Sequence, residues 1–191
     1  IFESDEYFKF EHGMILTNDD TQLLYYLPTN KETHFIFLPD ELTTIHPYSF
    51  YGNSYLEMIV IPLNVKLIGE YAFANCVNLK EMDFSECTKF TQLGHSTFKG
   101  CSQLTDVKLP NSIQTISNEA FSQSGLQNIN IEDCINLSTV GNSAFNLCES
   151  LTSVTIPSSV KTIETEAFSF CTSLKGVTIP NSVTTIGTMA F

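Results

Sequence analysis

The sequence predicts an α/β solenoid, a stack of strand-plus-turn units forming one body, and three observations carry that expectation. Phenylalanine recurs at Phe50, Phe73, Phe98, Phe121, Phe145, Phe168 and Phe191, at intervals of 23–25 residues and mostly within the dipeptide Ala-Phe. A whole unit repeats with it: LTSVTIPSSVKTIETEAFSFC, from Leu151 to Cys171, is followed by LKGVTIPNSVTTIGTMAF. No linker rich in Pro, Gly or Ser divides the 191 residues. Self-similarity at a fixed period of about 20–50 residues is the signature of a solenoid or array.

Each unit reads in two halves. Leu151, Val154 and Ile156 mark a short β-type run that ends at Pro157, which lacks an N–H for a sheet ladder. Val160, Ile163, Ala167 and Phe168 then follow at helical offsets, which predicts a helical or 3₁₀ return, with short strands as an alternative. One unit cannot bury both its strand and its Phe, but stacked units can. At a rung spacing of ~4.8 Å the rings are expected to form one internal column.

Residues 1–31 depart from the repeat and are expected to form an N-terminal cap, a meander of three short strands turning at His12-Gly13 and Asn18–Asp20. Residues 32–191 hold about seven repeat units. The last stops at Phe191, before the Cys and strand that complete other units, so a longer array is expected. Two units carry Ser85–Cys87 and Glu132–Cys134 where the others have proline, which predicts longer loops at the sheet edge.

Aligned on their strands, the rungs run Thr33–Leu38, Leu56–Ile61, Leu79–Phe84, Leu104–Leu109, Leu126–Ile131, Leu151–Ile156 and Leu174–Ile179. Positions one, four and six are apolar and point inward, so positions three and five face out. These outward columns are the candidate partner-binding residues: Phe35 and Phe37, Met58 and Val60, Glu81 and Asp83, Asp106 and Lys108, Asn128 and Asn130, Ser153 and Thr155. Gly176 and Thr178 continue them. The face changes from apolar to acidic to small and polar. Its apolar end is either an interface or the surface on which the cap folds.

Cys76, Cys101, Cys148 and Cys171 each lie three residues after a column Phe and read as a buried packing column. Stacked neighbours would bring their Cα atoms within disulfide range, but their Cβ vectors run parallel, which favours free thiols, as at Cys87 and Cys134. Asn136-Leu137-Ser138 is a lone glycosylation sequon.

Composition excludes several classes. Of the charged residues, 21 are acidic and nine basic, every basic one a lysine, for a net charge of −12, which argues against nucleic acid. No run of 18 apolar residues exists to span a membrane, and the opening IFESDEYFKF has no leader-like apolar core. The acidic turn at Asp19 and Asp20 reads as a hairpin turn, not a calcium loop, and the four histidines lack ligand spacing. No nucleophile, phosphate-loop or metal motif is present, so no catalytic, cofactor or metal residues are assigned and an enzyme is not expected.

The unit LxxVxIPxSVxxIxxxAFxxC, seen in LTSVTIPSSVKTIETEAFSFC and EMIVIPLNVKLIGEYAFANC, resembles the BspA-like, or Treponema-type, leucine-rich repeat of bacterial and protist surface proteins. The resemblance covers about Thr33 to Phe191. It implies a right-handed superhelix with a parallel sheet on its concave face and short helical turns on the convex face. It also implies a cell-surface or secreted adhesin-type protein, associated with virulence, that contacts host extracellular matrix or other cells through the concave strand columns. Three alternatives stay open: an intracellular scaffold, a glycan-binding or receptor-type ectodomain using Asn128, Asn130, Ser153 and Thr155, and a structural module whose cap mediates self-association through an uncovered strand edge.

Overall fold

The computed structural model describes residues 7–28 and 31–191. Residues 1–6, which hold most of the opening read for a leader, and Thr29 and Asn30, beside the expected end of the cap, lie outside the described residues.

The chain begins with β1 (Phe8–Glu11), β2 (Met14–Thr17) and β3 (Gln22–Tyr26), an antiparallel meander. Its first turn uses positive φ at His12 and Gly13. At the second turn the Asp19 carboxylate accepts hydrogen bonds from Thr17 Oγ1 (2.7 Å), Thr21 Oγ1 (2.8 Å) and the Thr21 N–H (3.1 Å). These donors, Thr17 first, hold its pKa down at about 2. Lys9 pairs with Asp20 at 2.6 Å, so both acids of this turn are engaged within the meander.

First and second strands then alternate. They are β4 (Phe35–Phe37) and β5 (Thr44–Ile45), β6 (Met58–Val60) and β7 (Leu67–Ile68), β8 (Glu81–Asp83) and β9 (Gln92–Leu93), and β10 (Asp106–Lys108) and β11 (Thr115–Ile116). There follow β12 (Asn128–Ile129) and β13 (Thr139–Val140), β14 (Val154–Thr155) and β15 (Thr162–Ile163), and β16 (Val177–Thr178) and β17 (Thr185–Ile186). All pairing among them is parallel: β4 with β6, β10 with β8 on one side and β12 on the other, β14 with β16, β5 with β7, and β9 to β17 in order of second strands. The result is a β-solenoid of seven turns in the described residues.

The helical return is the expectation that fails. Two-residue strands and turns occupy that half of every unit, and the one helical turn among the described residues is a 3₁₀ turn, Ile131–Asp133, in the loop after β12. The reason lies in the backbone around each Phe. The residues two before and two after it have positive φ: Tyr48 and Gly52, Tyr71 and Asn75, Ser96 and Gly100, Glu119 and Gln123, Ser143 and Leu147, Glu166 and Phe170. This alternation turns every second N–H along the stack instead of toward the carbonyl four residues back. Phe98 N–H accordingly donates to Ala120 C=O (2.8 Å) and Phe145 N–H to Ala167 C=O (2.7 Å), a third inter-unit ladder made of turns. An i, i+3, i+7, i+8 apolar pattern is common to such a turn series and to a helix, so periodicity alone did not separate them.

Inside, the rings of Phe50, Phe73, Phe98, Phe121, Phe145, Phe168 and Phe191 stack with centroids 4.9–5.6 Å apart and planes within 14°. Tyr26 of β3 continues the column at 5.3 Å from Phe50. Because β3 pairs in parallel with β5, the meander prolongs the second-strand sheet and covers the N-terminal end of the core. It leaves the first-strand face clear.

Candidate functional site

The outward positions of the first strands form one face of the solenoid. Their exposure follows from strand alternation: Ile36, Ile59, Met82 and Val107 are buried, and their neighbours on either side project out. Phe35 and Phe37 are 56% and 76% exposed, so the cap does not fold over them. Met58 and Val60 stand in register beside them. Leu63, 63% exposed, extends the patch at the strand end. Three depressions follow the face. One of about 540 Å³ lies between the cap and β4, lined by His12, Met14, Tyr26, Phe35 and Phe37. A second, of about 360 Å³, is lined by Met58, Val60, Leu63, Glu81, Asp83 and Asp106, and a third, of about 280 Å³, by Asp106, Lys108, Asn128, Asn130, Ser153 and Thr155.

The charges on this face are unevenly neutralised. Lys108 Nζ donates to Asp83 at 3.1 Å, and the Ser85 N–H reaches the same carboxylate at 2.9 Å. Partial burial pushes the Asp83 carboxyl up, yet these donors outweigh it and hold the pKa below the usual aspartate value. In the parallel column, Glu81 and Asp106 stand in register on β8 and β10. Asp106 accepts a hydrogen bond from Asn128 Nδ2 at 3.0 Å, and among the described residues neither carboxylate has an ion-pair partner. At the apolar end Glu57 is paired with Lys80 and with His34, and the Lys80 hydrogen bond lowers its pKa.

Of the twelve candidate residues, Asn130 is only half-buried and its amide is committed to the framework. Its Oδ1 accepts from the Leu109 N–H (2.7 Å) and its Nδ2 donates to the Leu109 C=O (3.1 Å), closing the β10 edge where the 3₁₀ turn begins. The other eleven project from the face. The sequon Asn136 likewise donates to Asn111 C=O (2.9 Å), and its neighbour Leu137 is fully buried.

All six cysteines are free and buried. Cys76, Cys101, Cys148 and Cys171 each donate a thiol hydrogen bond to the carbonyl of a column Phe one unit back, at 3.1 Å. Burial pushes the Cys76 and Cys148 thiols up to about 12, Cys87, Cys134 and Cys171 to about 11, and Cys101 well above the usual value. Neutral thiols are therefore favoured by folding, a contribution complete below about pH 9 and lost as the pH rises toward 12. At about pH 8 a thiol-disulfide reagent is expected to label none of the six until the chain unfolds; prompt labelling of the native protein would contradict this column.

Sequence reasoning missed two features. Leu63 follows Pro62 where the matching positions are Asn111, Ser158 and Asn181, an apolar substitution that alignment of the loops would have exposed. Exposed Tyr48 stacks on Tyr71 (5.0 Å, 4°), and Tyr71 Oη bonds to His95 Nε2 (3.0 Å) along the turn side. Those tyrosines occupy the positive-φ position two before each Phe, visible only once the turn geometry is known.

The sequence matches the BspA type leucine rich repeat region in six copies, over residues 25–152 and 138–191. Among solved structures it is similar to the leucine-rich repeat protein of Treponema pallidum, at 25% identity and a TM-score of 0.72 over 97% of this chain and 85% of that one. A leucine-rich repeat protein from Bacteroides ovatus gives 25% identity and a TM-score of 0.62, over 97% of this chain and 55% of that one, so this chain spans about half of that relative's length. One from Eubacterium ventriosum, at 24% identity and a TM-score of 0.66, shares the fold over 97% of this chain and 49% of its own. No curated protein matches the chain. No helix of the described residues is long and apolar enough to cross a membrane. With repeat, stacked Phe column and parallel rungs in agreement, the chain belongs to the BspA-type leucine-rich-repeat family.

Proposed function

We propose that this chain is a non-enzymatic protein-binding module of a cell-surface or secreted adhesin-type protein, and that it contacts extracellular matrix or other cells through its first-strand face. The observation that carries this reading is the exposed patch of Phe35, Phe37, Met58, Val60 and Leu63, a group of large apolar side chains on the β4–β6 pair and at its strand end. Family membership supports it, since leucine-rich repeats generally bind proteins, as does a surface built of stacked rungs, suited to an extended partner. The committed amide of Asn130 weighs against a glycan site on the polar columns.

Surface staining of intact against permeabilised source cells tests the location. Staining only after permeabilisation would replace this reading with an internal scaffold. On an immobilised matrix partner, Phe37→Ala is expected to weaken binding by about 2 kcal/mol, some thirtyfold, because large aromatics buried on binding dominate interface energies. Unchanged binding by Phe37→Ala and Phe35→Ala together would remove the face from consideration.

One observation favours a second reading, self-association. Strand β4 pairs with β6 on one side, and among the described residues no strand adds to its other edge, an available template for pairing. A mass that stays monomeric by light scattering across concentration would exclude it.

A further inference from the structure

The proposed binding face has an internal polarity, and that polarity specifies the chemistry of its partner. Along the third position of the rungs, Phe35 and Met58 stand in register on β4 and β6, and Glu81, Asp106 and Asn128 in register on β8, β10 and β12, with β6 and β8 adjacent but not paired as a ladder. Two exposed apolar groups are followed by two carboxylates set directly opposite each other on adjacent strands, an arrangement that repels. The parallel column is different, because there Lys108 already neutralises Asp83. Among the outward strand positions the unpaired negative charge therefore lies on one line, and the 360 Å³ depression spans the boundary, lined by Met58, Val60 and Leu63 together with Glu81 and Asp106, with Glu86 a further acid beside them.

Resting on the reading of this face as the binding surface, we infer that the partner is an extended polypeptide segment carrying an apolar residue with lysine or arginine two positions away from it. The spacing follows from strand geometry. The Lys80 N–H donates to Glu57 C=O (3.1 Å), so the β6 and β8 rungs stack at the ~4.8 Å of a ladder, and the point between Glu81 and Asp106 is about 7 Å from Met58. An extended chain advances ~3.3 Å per residue and returns to the same side every second residue, so i and i+2 span that distance. The apolar residue sits over Met58, and the cation stands between the two carboxylates and relieves their repulsion. Charge complementarity extends beyond the site, since the chain carries a net charge of −12 and draws in a basic partner.

The test is to pan a display library of short random peptides on the immobilised chain. Enriched sequences are expected to carry Lys or Arg two residues from an aliphatic or aromatic residue, before or after it. Their binding is expected to fall about tenfold on a Glu81→Gln/Asp106→Asn double variant and to weaken with salt, while Glu149→Gln, an exposed acid outside this column, leaves it unchanged. Both substituted acids are exposed, so the double variant is expected to melt like the parent. Peptides that are lost on Met58→Ser but show no basic preference, or ignore the double variant, would overturn the partner chemistry and leave the face reading standing. Peptides indifferent to both sets of substitutions, or no enrichment at all, would overturn both.

Discussion

Replacing Phe145 by Ala is expected to lower the stability of the fold by about 3–5 kcal/mol. The ring is fully buried between those of Phe121 and Phe168, at centroid distances of 5.3 and 4.9 Å and interplanar angles of 14° and 3°. Truncation removes a large apolar side chain and two stacked contacts together. The neighbours cannot close the gap, because the Phe121 N–H is bonded to Ala144 C=O (2.8 Å) and the Phe168 N–H to Ala190 C=O (2.7 Å), fixing the rung spacing. Stability in a solenoid is close to a sum of unit and interface contributions, and this one change weakens two interfaces. Phe98→Ala is expected to behave alike, since its ring lies between Phe73 and Phe121. Ile135→Ala, at a position 70% exposed, is expected to change stability by no more than about 0.5 kcal/mol. Melting curves for the three variants decide the matter, and an unchanged curve for either Phe variant would refute the stacked column.

The second large effect is expected at Gly125, where substitution by Ala should cost about 3 kcal/mol. Other units place two residues between the column Cys and the next Leu, as in Cys101-Ser102-Gln103-Leu104, whereas Gly125 alone separates Ser124 from Leu126. The shortened loop is drawn against the preceding unit, and the Gly125 N–H donates to Cys101 C=O at 3.1 Å. A Cβ at this site would collide with the Ser102 carbonyl oxygen and stand 3.0 Å from its carbon. Both atoms belong to the backbone, so neither yields cheaply. Gly176 has nothing within 4 Å of the same construction, and Gly176→Ala is expected to be close to neutral. Equal melting temperatures for the two variants would show that the loop has room to move.

The column, its period and the outward positions of the face were legible because a repeat places like residues one rung apart, where their contact requires only that units stack. Cys76, Cys101, Cys148 and Cys171 were placed in the core by the same reasoning, and the structure adds the acceptor each thiol finds. The turns were not legible as turns, although Gly52, Asn75 and Gly100, each two residues after a column Phe, were a partial signal for positive φ. Gln123, Leu147 and Phe170 occupy the same place in other units and hide it. Asn130 was placed among the outward partner-binding columns, and only its position against the end of β10 revealed that it closes that strand.

By itself, then, the sequence determined a stack of units with an aromatic spine and a face graded from apolar to acidic to polar, because burial and strand alternation are local consequences of residue order. The tertiary structure alone decided that the return is built of strands and left-handed turns, that the cap joins the second-strand sheet and leaves Phe35 and Phe37 open, and that Lys108 neutralises Asp83 and not Glu81 or Asp106. Each of these depends on which backbone or charged group the neighbouring unit presents, and such partners are chosen across about 23 residues of chain, beyond the reach of local pattern.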